Sequence, residues 1–349
     1  MFKSVHLKER PQSTITSSTF ETRTNKPLSA ADLKDGELLL RGSVYSLDPA
    51  MRGWLNDARS YVPPVKIGEV MRGSAISEVV ASKSAEYKAG DYVLATTGWT
   101  EYATIKAKHV EPLKLVGKHG IVPGDYQSVL GMTALTAYFG MINCGRIADK
   151  PKGSTVVVSG AAGATGIMAG QIAKIYGMRV IGIAGGKEKC EFLKANGFDE
   201  AVDYKSKTFY KDLCKVTPNF IDFFFDNVGG EVLDNCFKRA AFKSVFVICG
   251  AVSQYLKAKP VGPAYYTNII SQRIRMEGFI VFDYEKEYDS AREKLAEWYS
   301  QGKLTKQEHV VKGSVEQLPQ ALQMLFDGKN TGKLVVHVDR ASKAKLSKL

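Results

Sequence analysis

From Gly153 onward the chain alternates short β-branched apolar runs with stretches whose apolar positions recur every three or four residues. The first kind of run suits a buried strand, and the second lays an apolar face along a helix. Strands are predicted at Thr155–Ser159, Arg179–Ala184, 200–204, Ile221–Asp226, 244–249 and 275–282, and helices over 167–176 and 187–196 and after Ser206 and Glu231. Six apolar strands separated by crossovers predict an α/β fold with a doubly wound parallel sheet covered on both faces.

The first 120 or so residues read differently. Short strands over 37–43, 73–80 and 91–96 are divided by Gly and Pro turns, which suits an antiparallel β-rich domain. After a helix over 287–301, strands at 309–311 and Lys333–Val338 flank a helix over 315–326 and are expected to rejoin that first sheet. The organisation read from this is a β-rich part over 1–122, the α/β unit over 123–290 and a return over 291–349. A length of 349 residues accommodates two such domains.

Charge changes this picture little. The 48 Lys and Arg exceed the 36 Asp and Glu to give +12, which raises an anionic ligand, a membrane surface or nucleic acid as partners. The cations are scattered, however, and only Arg340, Lys343, Lys345 and Lys348 cluster, in a tail that reads as solvated. No apolar run approaches 18 residues and no signal-like segment opens the chain, so neither a membrane span nor secretion is expected. Five widely spaced cysteines without a CxxC pair suit a reducing compartment. The last three residues, Ser347-Lys348-Leu349, match the tripeptide read by the peroxisomal import receptor, so a peroxisomal location is expected, with a cytosolic share left open.

The chemistry concentrates after the first α/β strand. Gly160-Ala161-Ala162-Gly163-Ala164-Thr165-Gly166 follows it and opens a helix, where missing side chains let a pyrophosphate approach the backbone and the helix N-terminus. A tight strand-to-helix connection would use the same glycines, and their spacing is GxxGxxG rather than GxGxxG. The next strand favours the dinucleotide. An NAD site places an acid there for the ribose hydroxyls, whereas this chain has Gly185-Gly186-Lys187-Glu188-Lys189, which leaves room and positive charge for a 2′-phosphate. NADPH is the cofactor expected, with Lys189 the better phosphate candidate; both lysines also read as ordinary solvated charges at a helix start. Zinc, by contrast, finds no spaced ligand set among the five cysteines and five histidines, and no GxSxG nucleophile is present. Catalysis would then rest on the cofactor.

Several further segments stand in order: Ser46-Leu47-Asp48-Pro49-Ala50-Met51-Arg52, Gly131-Met132-Thr133-Ala134-Leu135-Thr136-Ala137-Tyr138, Phe225-Asp226-Asn227-Val228-Gly229-Gly230 and Cys249-Gly250-Ala251-Val252-Ser253-Gln254-Tyr255. With the glycine turn, they make the chain resemble the zinc-free branch of the medium-chain dehydrogenase/reductase superfamily, which holds leukotriene B4 12-hydroxydehydrogenase/prostaglandin reductases, plant double-bond reductases and bacterial curcumin reductase. The resemblance implies a GroES-like catalytic domain around a Rossmann domain, a cleft between them, commonly a homodimer, and NADPH-dependent reduction of the C=C bond of α,β-unsaturated aldehydes and ketones.

On that pattern Gly163, Ala164, Thr165 and Gly166 hold the pyrophosphate, Lys189 and Tyr204 the 2′-phosphate, and Asn227 the cofactor near its ribose. Cys249, Gly250, Ala251, Val252 and Ser253 would pass along the nicotinamide half, Phe279, Ile280 and Val281 would meet its carboxamide, and Asn330 would reach the cofactor from the returning segment. Tyr255 is the expected donor to the enolate oxygen that forms when hydride reaches the β-carbon; a plain wall of the cofactor cleft is its other reading. The family commonly has Tyr where this chain has Ala50, so the substrate pocket is expected to be reshaped, with Tyr45 and Tyr61 as candidate substitutes and Arg52 ordering the loop. A quinone or ketone reductase on the same scaffold is the first alternative, and an NADPH-sensing RNA-binding protein a remote one.

Overall fold

The computed structural model describes residues 1–338, so Ser347, Lys348 and Leu349 and the basic cluster around them lie outside the described residues. The chain divides into two units. The first holds residues 1–127, 309–329 and 334–338; the second holds 128–308 and 330–333.

In the first unit β1 (Phe2–Leu7) pairs antiparallel with β2 (Phe20–Asn25). A larger sheet runs β14 (Glu308–Gly313), β15 (Lys333–Val338), β3 (Glu37–Ser46), β4 (Ala75–Ser82), β5 (Tyr92–Ala95) and β7 (Val110–Pro112), with β6 (Tyr102–Lys106) also on β3. The pairings of β3 with β15, β4 and β6, of β4 with β5 and of β5 with β7 are all antiparallel. Leu7, Tyr45, Met51, Leu55, Trp99, Leu318, Leu322 and Val336 share one core of this unit.

The second unit is a sheet of six strands: β8 (Thr155–Ser159), β9 (Arg179–Ala184), β10 (Glu200–Asp203), β11 (Ile221–Asp226), β12 (Ala240–Ile248) and β13 (Arg275–Gly278). They pair in parallel in the order β10-β9-β8-β11-β12-β13. Counted from β8 this is 3-2-1-4-5-6, the Rossmann order, and its direction of winding reverses between β8 and β11, where the loops leaving two neighbouring strands part and open a crevice. Val157, Ile181, Leu213, Phe224, Phe237 and Phe246 make the core of that sheet.

Two expectations need correction. The return to the first unit begins at His309, not at 291, because the helix Tyr288–Ser300 belongs to the second unit. It buries Ala291, Leu295, Ala296 and Trp298, sets Trp298 6.0 Å from the Tyr138 ring, and spends the buried Arg292 guanidinium on the Leu130 carbonyl at 3.0 Å. The last parallel strand ends at Gly278 rather than 282, since the chain turns to set Phe279 6.5 Å from Phe225 and then winds into the 3-10 turns of Val281–Glu287. No helix among the described residues is long and apolar enough to cross a membrane.

Candidate functional site

The glycine turn is built as a cradle. Gly160 has φ +57°, and a Cβ on Gly166 would lie 2.4 Å from the Gly160 carbonyl oxygen, so the helix can start this close to the strand only without a side chain there. Gly163 is the N-cap of the helix Ala164–Ile175 and no side chain caps it. The first-turn amides, Ala164 and Thr165 among them, therefore point their N–H groups and the positive dipole end outward, which suits a pyrophosphate. The Gly332 amide donates to the Ala162 carbonyl at 2.8 Å, and Asn330 Nδ2 donates to the Gly332 carbonyl at 3.0 Å. The structure thus brings Asn330 beside the turn.

At the C-terminal end of β9, Gly186 (φ +95°) is the uncapped N-cap of the helix Lys187–Ala195. Asp203 Oδ1 accepts from the Gly186 amide at 2.8 Å and from the Lys205 amide at 2.9 Å, which clips the end of β10 to this turn. The side chains of Tyr204 and Lys205 close over Gly185, where a Cβ would lie 2.8 Å from the tyrosine ring and 2.9 Å from Lys205 Cε. Lys187 and Lys189 part company here. Lys187 is 89% exposed and pairs with Glu191, whereas Lys189 is half-buried, and burial followed by the nearby Lys205 charge holds its ammonium below the usual lysine range. Sequence reasoning passed over Lys205; its signal was its place directly after Tyr204.

At the sheet reversal a buried network joins the ends of β8, β11 and β12. Asp226 Oδ1 accepts from the Ser159 hydroxyl at 2.6 Å and the Val228 amide at 2.9 Å. The Asn227 amide donates back to Ser159 Oγ at 2.8 Å, and Asn227 Nδ2 to the Ser159 carbonyl at 2.7 Å. Burial pushes the Asp226 carboxyl up, and the Ser159 hydroxyl and the Val228 and Gly229 amides pull it back. The loop after β12 lies on that after β11: the Cys249 and Gly250 amides donate to the Asp226 carbonyl, Val252 to that of Asn227 and Ser253 to that of Val228. Its end, Tyr255, folds back so that the phenol oxygen accepts from the Ala251 amide at 3.1 Å and lies 3.0 Å from where a Gly250 Cβ would sit. Burial, with Asp226 adding, pushes the Cys249 thiol up to about 12, which keeps it protonated at neutral pH. Ser159 and Asp226 were missed from sequence, although a carboxylate closing a run as apolar as IDFFFD was itself a signal. Phe279, Ile280 and Val281 follow the end of β13 on the same edge of the sheet, with Phe279 against Phe225.

In the first unit Tyr45 is not a pocket residue. It is fully buried, its hydroxyl donates to the Thr100 carbonyl at 2.5 Å, and its ring lies over Gly42. A nearby glycine on the same strand leaves space that a large side chain fills, and that placed Tyr45 in the core. Arg52 does order its loop: its buried guanidinium donates to the carbonyls of Ser13 and Pro11 at 3.0 and 2.8 Å and to Asn56 Oδ1 at 2.6 Å. Ala50 begins the short helix Ala50–Gly53, and just beyond it Trp54 Nε1 donates to the hydroxyl of the exposed Tyr61 at 3.2 Å. The Arg72 guanidinium stacks 5.6 Å over the Trp54 ring, making an aromatic and cationic group of which sequence reasoning named only Tyr61. Among the described residues no cluster of three or more His, Cys, Asp or Glu is placed to hold a metal ion, and all five cysteines are free thiols.

Comparison with known proteins gives the family. Residues 3–113 match the family model described as the N-terminal domain of oxidoreductase, and 164–297 that described as zinc-binding dehydrogenase. The NADPH-dependent curcumin reductase of Escherichia coli (strain K12) is 38% identical, over 87% of this chain and 88% of its own. The NADP(+)-dependent 2-alkenal reductase of Nicotiana tabacum is 36% identical, over 87% and 88%. Among solved structures, CurA from Vibrio vulnificus in complex with NADPH superposes with a TM-score of 0.87 at 39% identity, over 97% of this chain and 99% of that one. The chain belongs to the medium-chain dehydrogenase/reductase family, in its zinc-free reductase branch, and is an oxidoreductase.

Proposed function

We propose that the protein is an NADPH-dependent reductase of the C=C bond of α,β-unsaturated aldehydes and ketones. Gly163, Ala164, Thr165 and Gly166 hold the cofactor's pyrophosphate, Lys189 and Tyr204 its 2′-phosphate, and Asn227, the 249–253 loop, the 279–281 segment and Asn330 its remaining length. When bound, NADPH supplies a hydride to the β-carbon, which leaves negative charge on the substrate's carbonyl oxygen. Tyr255 donates a hydrogen bond to that oxygen, and water protonates the α-carbon.

The single observation that carries this reading is the seat of Tyr255. A phenol, with no ionised side chain between Cys249 and itself, is held by its oxygen against the Gly250–Ala251 backbone, on the sheet edge that also carries the glycine turn. A neutral donor steadies a developing enolate without the desolvation cost of a buried charge. The curcumin and 2-alkenal reductases support the substrate class by their own activities. With Ala50 where the family commonly has Tyr, the bonded pair of Trp54 and Tyr61 in the same loop is the aromatic group offered to the substrate pocket in this reading.

The test follows NADPH and NADH oxidation at 340 nm with a medium-chain 2-alkenal, a 3-en-2-one, a quinone and a saturated ketone, with products identified by mass spectrometry. NADPH-selective formation of saturated aldehyde or ketone is expected. Turnover of the quinone or saturated ketone alone would replace the reading with quinone or carbonyl reduction on the same scaffold.

A further inference from the structure

The parallel sheet has a second end, opposite the one that carries the glycine turn. Where β11 and β12 begin, a cleft of about 480 Å³ opens between the end of the helix Gly230–Lys238, residues 240–242 and the short helix Asn268–Gln272. Phe220, Phe237 and Phe242 line it, together with Lys238, Asn219 and Gln272. Phe237 is buried and stacks on Phe246 with ring centres 5.1 Å apart, so that wall is fixed. Phe220 and Phe242 are 46% and 55% exposed, and each has a guanidinium over one face: Arg239 at 4.3 Å over Phe220, Arg273 at 4.4 Å over Phe242. The Lys243 ammonium also lies 5.5 Å from the Phe242 ring.

Backbone and charge both set this surface apart. Five non-glycine residues have positive φ among the described residues, and three of them stand here: Phe220 at +67°, Lys243 at +57° and Arg273 at +53°. A bulky side chain is rare in that region of the backbone map and persists only where its surroundings hold it, a condition that clusters at binding sites. Lys238, Arg239, Lys243 and Arg273 enter none of the ion pairs among the described residues, and no lining residue of the cleft is Asp or Glu. Lys238 Nζ meets Asn235 Oδ1 at 3.3 Å and the Tyr265 ring at 4.2 Å, and Arg239 donates to the Thr217 hydroxyl and carbonyl. Arg273 donates from Nη1 to the Ser271 carbonyl, which leaves Nε and Nη2, the edge of the guanidinium that grips a carboxylate with two bonds. Four cations with no counter-charge around ring walls complement an anion that carries a flat apolar body. The volume falls in the range of roughly 300–1,000 Å³ that small molecules occupy. We infer that this cleft binds a small aromatic carboxylate, its ring against Phe220 and Phe242 and its carboxylate on Arg273. The cofactor edge lies about 17 Å away along the six residues of β11, at roughly 3.3 Å per residue, so the two sites are separate.

The experiment titrates 2-naphthoate, 2-naphthylmethanol, decanoate and inorganic phosphate by ligand-observed NMR into the full chain, with and without excess NADPH. The proteins are the wild type, R273Q and F242L. 2-Naphthoate is expected to bind the wild type with a dissociation constant on the order of 1 mM or tighter, within about twofold of the same value when NADPH is present. R273Q removes the charge and F242L the ring while staying apolar, and each should weaken 2-naphthoate roughly fivefold. The neutral alcohol, the aliphatic acid and phosphate should each bind the wild type at least about fivefold more weakly than 2-naphthoate. Both substituted side chains are exposed, so both variants are expected to fold, which thermal unfolding checks, and either one alone suffices for the test. Equal 2-naphthoate affinity in wild type and variants would place the probe elsewhere, and its exclusion by NADPH would place it in the cofactor site. Decanoate or phosphate binding as well as 2-naphthoate would mean that the cleft reads apolarity or charge alone. A wild-type dimer that F242L or R273Q dissociates in sedimentation would make this face a contact between copies of the chain. Any of these results overturns the inference.

Discussion

At the residue scale Tyr255 is the proposed donor to the substrate's carbonyl oxygen. Y255F removes the donor and leaves the ring, so kcat with an enone is expected to fall on the order of 10²-fold, with the dissociation constant for NADPH within about threefold. The variant also removes the acceptor of the Ala251 amide, at a cost of about 1 kcal/mol that thermal unfolding reads separately from the rate. An unchanged kcat would make the tyrosine a wall of the cofactor site. Lys189 brings a pH dependence. A lysine in water titrates near 10.5, and here burial and Lys205 favour the neutral form. As pH rises Lys189 therefore loses its charge earlier than an ordinary lysine. The affinity ratio of NADPH to NADH should then begin to fall below pH 10.5 in the wild type and stay flat in K189M, as read by binding titrations from about pH 7 to 10. Single residues were legible in sequence where the backbone alone dictates them, as at Gly163 and Gly166. Tyr45 was not, because only the folded strand shows that its ring lies over Gly42 instead of lining a pocket.

At the scale of elements the site depends on how closely one helix meets one strand. G166A places a Cβ 2.4 Å from the Gly160 carbonyl oxygen and 2.7 Å from the Ala161 Cα, both backbone atoms that cannot swing aside. The helix Ala164–Ile175 must shift or the turn must open, an overpacking cost of about 2–3 kcal/mol, or roughly 4–10 °C in Tm. Cofactor affinity is expected to fall in the same variant, because the first-turn amides move with the helix. A Tm and a dissociation constant both at wild-type values would refute the cradle. G36A is the comparison: Gly36 has φ +76° but open space around it, so strain alone is tested there. Elements were legible where they are mostly apolar and buried, and Thr155–Ser159, Arg179–Ala184, Ile221–Asp226 and Lys333–Val338 are strands from first to last residue. A half-solvated strand of the same length was not: Phe20–Asn25 exposes Thr22, Arg23 and Thr24, and its pairing with Phe2–Leu7 is set by a partner outside any local window.

At the scale of the whole molecule the recurring strand and helix pattern announced a Rossmann unit, while its limits had to come from packing. Arg292 and Trp298 tie the last long helix to the second unit, and the amphipathic pattern of that helix is equally compatible with either. The address of the molecule is a separate matter, because receptor-read signals work from sequence and need no fold around them. Residues 339–349 join a basic stretch to Ser347-Lys348-Leu349 and lie outside the described residues. A fluorescent reporter carrying them at its own C-terminus is expected to collect in peroxisomes of cultured cells, and one whose segment stops at Leu346, without the final three residues, to stay in the cytosol. A third reporter, with Leu349→Ala, should lose most import while keeping every positive charge, which separates recognition of the tripeptide from attraction of a basic tail to an anionic surface. Cytosolic fluorescence from the complete segment would remove the peroxisomal expectation.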